Sequence, residues 1–160
     1  MTGPQVDQSH LGQLRFRKMQ IEDLSSVMEN EISAYSHPWP KGIFADCIDS
    51  GHECWTVILS DVLIGHSILS VAAGESHLQN VCIVPSHQGR GYGRKLVEYM
   101  LSMAISRGAD RIFLEVRTSN LTAYKLYESL GFNELGIRDG YYPGDSGRED
   151  GIMFGKELNL

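Results

Sequence analysis

One turn of the chain reads Gln88-Gly89-Arg90-Gly91-Tyr92-Gly93. It joins an apolar, strand-like segment, Val81 to Val84, to a segment with the periodicity of an amphipathic helix. Glycines at this point let backbone N–H groups approach a ligand closely, and the helix N-terminus adds the positive end of its dipole. We therefore predict an anion site suited to a pyrophosphate, to which Arg90 and Arg94 add charge-assisted contacts.

The glycine spacing differs from that of two common nucleotide-binding loops. A Walker A loop ends in Gly-Lys-Ser or Gly-Lys-Thr, whereas Gly93 is followed by Arg94. A Rossmann fingerprint requires Gly-x-Gly-x-x-Gly, and the last position counted from Gly89 holds Arg94. One alternative stays open, namely a tight strand-to-helix turn that binds no ligand.

Hydrophobic periodicity on either side of this turn predicts the other elements. In the first predicted helix the apolar positions are Ile21, Leu24, Met28, Ile32 and Tyr35, before Pro38 and Pro40 end it. Helical spacing continues in Ile43–Ile48, Gly93–Arg107 and Leu121–Leu130. Strand-like patterns cover Leu14–Met19, Trp55–Leu59, Leu63–Val71, His77–Val84, Arg111–Val116, 133–141 and 150–158. The order β-α-α-β-β-β-α-β-α-β-β predicts an α/β (α+β) fold, a mixed sheet covered by helices.

The length and the ends of the chain limit its architecture and its location. A chain of 160 residues with 42% hydrophobic side chains favours one compact domain. Residues 1–12 are polar and are expected to form a flexible tail, so that the domain covers residues 13–160. No apolar run reaches the length of a membrane span, and the N-terminus lacks the apolar core of a secretory signal. We expect a cytoplasmic protein that does not bind membranes.

Charge and ligand-forming residues exclude further classes. A net charge of −6 argues against broad nucleic-acid binding and favours a basic partner. Three scattered cysteines, Cys47, Cys54 and Cys82, are too few for a disulfide framework and are expected to be reduced thiols. The six histidines show no metal-ligand spacing, so no metal is expected.

Glu115 is an unusual residue at its position in the sequence. It stands inside Ile112–Val116, a segment that is otherwise apolar on both faces. Burial of an unpaired carboxylate is costly and raises its pKa, which suits a general base that works near neutral pH. Two alternatives stay open: Glu115 faces water on an edge strand, or it pairs with Arg117.

Two residues of the segment that follows have both a structural and a chemical interpretation. Asn120 is an ordinary N-cap for the next helix. Tyr127 shares an apolar face with Ala123, Leu126 and Leu130, a spacing typical of a core aromatic. A buried phenol still requires a partner for its hydroxyl, and a leaving thiolate is one candidate.

These residues carry a resemblance to a known family. The pattern Gln88-x-x-Gly91-x-Gly93 after an apolar strand resembles the acetyl-CoA pyrophosphate loop of the GNAT superfamily of N-acetyltransferases. Later motifs are similar to the RimI type, the ribosomal-protein-alanine N-acetyltransferases: Leu114–Arg117, Leu126–Asn133, Tyr141–Pro143 and Gly147–Asp150. The resemblance runs from Asn80 to Gly155 and is weaker before Trp55, although Pro38-Trp39 matches a Pro-Trp of the family.

The resemblance implies a mostly antiparallel sheet of about seven strands flanked by about four helices, with acetyl-CoA as co-substrate. It implies that pantetheine and the acetyl group bind the exposed backbone of a strand that separates from its neighbour, here Val81, Cys82 and Ile83. The pyrophosphate is then held by Gln88, Gly89, Arg90, Gly91, Tyr92, Gly93 and Arg94. Three further positions match family residues with known roles. Glu115 matches the proton acceptor, which acts through water, and Tyr127 matches the proton donor to the thiolate. Asn120 matches a residue that contacts the coenzyme.

The implied reaction is direct acetyl transfer to an amine, so Cys82 is not required as a nucleophile. The RimI resemblance implies as substrate the N-terminal alanine of the eighteenth small-subunit ribosomal protein, a basic partner. Loop-like aromatic residues, Trp39, Tyr141 and Tyr142, are expected to line the peptide groove or, alternatively, to pack the end of the domain. Two other functions stay open: a GNAT enzyme for small amines or lysine side chains, and a coenzyme-A-binding module without turnover.

Overall fold

One sheet runs through the structure, a computed structural model that describes residues 13–158. Its strands are β1 (Arg15–Lys18), β2 (Glu53–Leu59), β3 (Val62–Ala72), β4 (Glu75–Ile83), β5 (Arg111–Arg117), β6 (Asn133–Gly144) and β7 (Gly147–Glu157). Their order across the sheet is β1-β2-β3-β4-β5-β7-β6, and β4–β5 is the parallel pair among otherwise antiparallel neighbours. The predicted mixed, mostly antiparallel sheet is confirmed, whereas the predicted tail, residues 1–12, lies outside the described residues.

Four α-helices accompany the sheet in the described part of the chain. They are α1 (Leu24–Ala34), α2 (Lys41–Asp49), α3 (Tyr92–Ser106) and α4 (Leu121–Ser129). Short 3₁₀ turns precede α1 and follow β4, at Ile21–Asp23 and Pro85–His87. None of the helices between residues 13 and 158 combines the length and the apolar character that a membrane span requires.

The hydrophobic core has two parts, one on each face of the sheet. The larger part includes Leu96 and Met100 of α3 and Tyr127 of α4, packed against buried side chains of six of the seven strands. The smaller part includes Val27 of α1 and Phe44 of α2. Helices therefore cover both faces, α3 and α4 on one and α1 and α2 on the other, as the predicted fold class requires.

The first helix buries a different face from the predicted apolar stripe. Leu24, Val27 and Glu31 are its buried residues, at helical spacing along one side. Ile32 is 61% exposed, and Ile21 lies before the helix in the 3₁₀ turn. The prediction was wrong here because it assigned no buried position to a carboxylate, whereas Glu31 has hydrogen-bond partners on the sheet.

The middle of the sheet has two irregularities, on either side of β4. Ile68 pairs with Asn80 and Leu69 with Leu78, so Gln79 is left out of the ladder as a β-bulge. On its other side β4 pairs with β5 over three positions, Glu75 to His77, and the two strands then separate. The separation leaves the edge of β4 unpaired beyond His77, as expected from the family resemblance.

Candidate active site

A cleft of about 830 Å³ occupies the gap between β4 and β5. Its volume falls within the range of ligand pockets, about 300–1,000 Å³. The walls come from β4, β5, α4, the end of α1 with the segment after it, and Tyr142 and Pro143 of β6. The cleft thus passes through the sheet and is reached from both faces.

The glycine turn has the geometry of an anion site. Gly89 and Gly91 have φ values of 77° and 88°, the left-handed region that favours glycine. A Cβ at either position meets no atom within 4 Å, so the space in front of the turn is open. Gly91 is the N-cap of α3 and no side chain caps the helix, so its first N–H groups point outward without a side-chain partner. These features fit a pyrophosphate.

The polar side chains around this turn differ in what they contact. Gln88 donates from Nε2 to the carbonyl of Ile83, 2.8 Å away, and so closes the turn. Arg94 donates to Ser129 Oγ at 3.0 Å, which ties the start of α3 to the end of α4. Arg90 is exposed, and its guanidinium has no ion-pair partner among residues 13–158. Arg90 is therefore a cation that remains available to a phosphate.

The three predicted pantetheine residues of β4 are not equivalent. Val81 and Ile83 line the cleft, and their carbonyls accept hydrogen bonds from Tyr35 Oη and Gln88 Nε2. The backbone of Cys82 faces β3 instead, since its carbonyl lies against Gly65. The Cys82 side chain is buried on the α1 side, where burial raises the pKa of its thiol. A thiol held in its protonated form fits the expectation that Cys82 is not a nucleophile.

Glu115 adopts neither of the two arrangements left open by the sequence. Its side chain is 7% exposed, in the centre of the sheet rather than at an edge. Its Oε1 lies 2.8 Å from Nε2 of His77 on β4. Arg117 pairs with Glu149 at 3.1 Å, and its guanidinium lies 4.6 Å from the centre of the Tyr142 ring. The partner of Glu115 is therefore a histidine that no sequence pattern indicated.

Tyr127 is both a core aromatic and a cleft residue. Its ring packs edge-on against Phe132, and the residue is 6% exposed. It also lines the cleft, where burial, with a smaller effect of Tyr142, raises the pKa of its hydroxyl. Asn120 combines two features in the same way: its Oδ1 accepts from Ala123 N at 3.1 Å, as an N-cap does, and it lines the cleft.

Glu115 and Tyr127 reach the cleft from opposite faces of the sheet. The neighbours of Glu115 on β5, Leu114 and Val116, point into the core under α3 and α4. Since successive side chains of a strand alternate, Glu115 points to the α1 face. Tyr127 comes from α4 on the other face. A molecule in the cleft is therefore accessible to a carboxylate from one side and to a phenol from the other.

The three predicted groove aromatics separate in the structure. Trp39 and Tyr142 line the cleft, and Trp39 also packs on Phe44 with ring centres 5.1 Å apart. Tyr141 is not among the residues around the cleft. It is 42% exposed, and its ring packs edge-on against the ring of Tyr142. Both interpretations of these aromatics thus hold for Trp39, which joins the cleft to the smaller core.

A buried polar cluster below Trp39 has no counterpart in the predicted site. Glu31 accepts from the Trp39 backbone N–H at 3.0 Å, from Asn80 Nδ2 at 3.3 Å, and lies 2.9 Å from His66 Nε2. Glu31, His66 and Cys82 offer potential metal ligands within 4.8 Å of one another. Two ligands of one tetrahedral zinc lie about 3.3 Å apart. The Glu31 and His66 ligand atoms are closer than that, at 2.9 Å, which is the distance of a hydrogen bond. The cluster fixes the segment that carries Trp39.

The motif Gly147–Asp150 shapes the cleft from outside. Arg148 donates to the carbonyls of Gly140 and Tyr141, and Asp150 accepts from Gly140 N at 2.8 Å. These bonds hold a bulge of β6 between Arg138 and Tyr142. Tyr142, the first paired residue after that bulge, lines the cleft.

Glu149 connects this hairpin to the start of α4. Hydrogen bonds from Ser119, through its side chain and backbone, and then from Arg117 and Thr118 lower the pKa of Glu149 to about 2. The shortest of them is from Ser119 N, at 2.7 Å. Ser119 immediately precedes the N-cap Asn120, so the hairpin and the α4 N-terminus are held together.

Comparison with known proteins identifies the family whose sequences and structures this chain resembles. Residues 19–132 match the family model described as acetyltransferase (GNAT) family. The chain is 34% identical to the ribosomal protein bS18-alanine N-acetyltransferase of Escherichia coli K12, over 89% of this chain and 96% of that protein. The crystal structure of the corresponding Escherichia coli enzyme superposes with a TM-score of 0.86 at 33% identity, covering 92% and 95% of the two chains. Salmonella typhimurium yncA with its cofactor acetyl-CoA shares the fold alone, at 16% identity and a TM-score of 0.79 over 93% and 96%.

Proposed function

The chain belongs to the GNAT family of acetyltransferases, and from that premise we propose that it acetylates a protein N-terminus, with Glu115 as general base and Tyr127 as general acid. It is an acetyl-CoA-dependent N-acetyltransferase. The proposal concerns the acceptor amine and the residues that transfer protons. The observation that carries it is the approach of a buried carboxylate and a buried phenol to one cleft from opposite faces.

The glycine turn and the edge of β4 fit two parts of the coenzyme. Gln88 of the turn lines the cleft, and Gly89–Arg94 follow it in the chain without lining the cleft themselves. The N–H groups at the start of α3 and the exposed Arg90 guanidinium would hold the pyrophosphate, with Gly89 and Gly91 leaving room for it. The free edge of β4 at Val81 and Ile83 would align the pantetheine arm, and Asn120 lies beside that path. When bound, acetyl-CoA supplies the acetyl thioester, with the coenzyme A thiol as leaving group.

Glu115 would take the proton of the attacking amine. An α-amino group has an unperturbed pKa of about 7.7–8.0, so part of it is already neutral at pH 7 and a carboxylate suffices as acceptor. A carboxylate facing the α1 side of the cleft has room for a bridging water between itself and the amine. The proton would therefore pass from the amine nitrogen to a Glu115 oxygen, directly or through that water.

Tyr127 would supply the proton that the departing sulfur needs. Because burial keeps the phenol protonated, its hydroxyl remains a donor at neutral and moderately alkaline pH. Backbone N–H groups on the free edge of β4 would polarise the thioester carbonyl from the side. The two proton transfers then occur on opposite faces of the sheet and do not compete for one position.

The proposed acceptor is the N-terminal alanine of ribosomal protein bS18. Support comes from the relative that acts on it, which matches this chain over 96% of its own length. Trp39 and Tyr142 give the α1 side of the cleft an aromatic wall for the first residues of a peptide. The net charge of −6 suits a basic ribosomal protein, and such a target places the proposed reaction in the cytoplasm.

Acetyl transfer to a panel of N-terminal peptides, read by mass spectrometry, tests this proposal. The panel contains the bS18 N-terminus, the same peptide with a blocked α-amine, a lysine-bearing peptide and a small diamine. We expect modification of the first peptide at its α-amine and little reaction with the others. Preferred transfer to lysine or to the diamine would favour a GNAT enzyme for another amine. Binding of acetyl-CoA without thiol release from any acceptor would indicate a coenzyme-binding module.

A further inference from the structure

The hydrogen bond between His77 and Glu115 is placed where it affects the proposed base directly. His77 is the last residue of β4 that pairs with β5, opposite Phe113. Glu115 lies two positions further along β5, so both side chains point to the same face. Oε1 of Glu115 and Nε2 of His77 are 2.8 Å apart, and the His77 side chain is 39% exposed against 7% for Glu115. The histidine therefore lies between the buried carboxylate and water.

We propose that His77 is a positioning residue that fixes the Glu115 carboxylate for proton transfer, an inference that rests on Glu115 being the base. With Glu115 ionised, the Nε2–H of His77 donates to Oε1 and stops rotation of the carboxylate. Oε2, to which no residue between 13 and 158 donates, then faces the cleft as the acceptor of the amine proton. The proton moves from the amine nitrogen to Oε2 while the hydrogen bond from His77 to Oε1 is kept.

Other groups around the pair do not replace His77 in this role. Tyr142 and Arg117 are the titratable and charged groups that approach from β6 and β5, and Arg117 is already held by Glu149 and the Tyr142 ring. On the strand of His77 itself the nearest charged residue is Glu75, which is exposed and opposite Arg111. His77 is the donor to Glu115 in the described part of the chain.

Two His77 variants separate donation of a hydrogen bond from other effects. His77→Ala removes the donor, whereas His77→Gln keeps an N–H at the position of Nε2. His52→Ala removes a half-buried histidine outside the cleft and serves as control. Each variant is measured for kcat, KM and the pH dependence of kcat, alone and combined with Glu115→Gln.

A hydrogen bond to a charged group predicts a fall in kcat of about 10- to 100-fold for His77→Ala, with KM for acetyl-CoA unchanged. We expect His77→Gln to recover most of this loss, because it keeps the hydrogen-bond donor. In the Glu115→Gln background, His77→Ala should cost nothing further. His52→Ala should match the wild type throughout.

Wild-type kcat in His77→Ala, or the same loss with and without Glu115, would overturn the inference while leaving Glu115 as the base. A wild-type rate in Glu115→Gln alone would instead remove the proposed base and so the proposed mechanism. If His77→Ala does not fold, the kcat of His77→Gln decides: a folded His77→Gln variant that loses more than about 10-fold in kcat has kept the donor without keeping the rate, and contradicts the proposal.

Discussion

Glu115 is the side chain on which the proposed proton transfer depends most directly. Glu115→Gln keeps the shape of the residue but cannot accept a proton, so kcat at neutral pH should fall by about 10²–10⁴-fold. Activity should partly return at higher pH, where the substrate amine loses its proton unaided. Steady-state kinetics from pH 6 to 10 measure both effects, with a thermal melt to confirm folding. A flat, wild-type profile would contradict the assignment.

Tyr127 permits a complementary test because its hydroxyl can be removed without loss of the ring. The ring packs on Phe132, so Tyr127→Phe should keep the core and the melting temperature close to those of the wild type. We expect a lower kcat with unchanged affinity for acetyl-CoA, since the proton is needed only as the thiolate leaves. Raising the pH should not restore the rate, because solvent then becomes a poorer proton source. Normal turnover with reduced stability would instead identify Tyr127 as a core residue only.

The glycine turn and helix α3 together form the proposed site for the pyrophosphate of the coenzyme. Gly91→Asp places a negative charge and a strained φ at the helix N-cap, so we expect acetyl-CoA affinity to fall by at least about 10-fold. Gly108→Asp is a matched control at the other end of α3, since Gly108 also has a left-handed φ, 82°, and open space around its Cβ position. Calorimetry should show a loss for the first variant alone. Equal affinities of the two folded variants for acetyl-CoA would show that the pyrophosphate does not bind at this turn.

The separation of β4 from β5 depends on elements that lie on either side of them. The bulge at Gln79 interrupts the ladder with β3, which resumes from Asn80 to Ile83. Gln88 and Tyr35 donate to β4 carbonyls that a paired strand would otherwise contact. The hairpin of β6 and β7 supplies Tyr142 from the other direction and is tied to α4 by Glu149. The cleft is therefore held open by contacts from several parts of the chain rather than by one loop.

Trp39 links the cleft to the smaller core and so belongs to the scale of the whole molecule. Trp39→Ala should raise KM for an N-terminal peptide several-fold while leaving acetyl-CoA affinity unchanged, because the indole lines the α1 side of the cleft alone. It should also lower the melting temperature moderately, since the indole packs on Phe44. Peptide kinetics at a temperature well below the melt separate the two effects. A stability loss without any change in KM would assign Trp39 to packing only.

Much of the fold and part of the site were predictable from the sequence alone. Helices and strands follow from the spacing of apolar residues, which is local, and their order was sufficient to predict a mixed sheet covered by helices. The glycine turn was recognisable because a left-handed φ and a close approach of backbone both require glycine in the chain itself. Glu115 was noticeable in the sequence because it is a charged residue within a strand whose other residues are apolar.

What only the tertiary structure decided is which side chains meet. His77 and Glu115 are 38 positions apart, and Glu31 and His66 are 35 apart, so neither pair leaves a spacing that a sequence pattern can detect. Their contacts follow from the register of β4 on β5 and from α1 lying across the sheet. Tertiary pairing also explains why Cys82 faces away from the cleft while Val81 and Ile83 face it. The bulge in β4 sets the direction in which each later residue of the strand points, and the position of the bulge depends on pairing with β3.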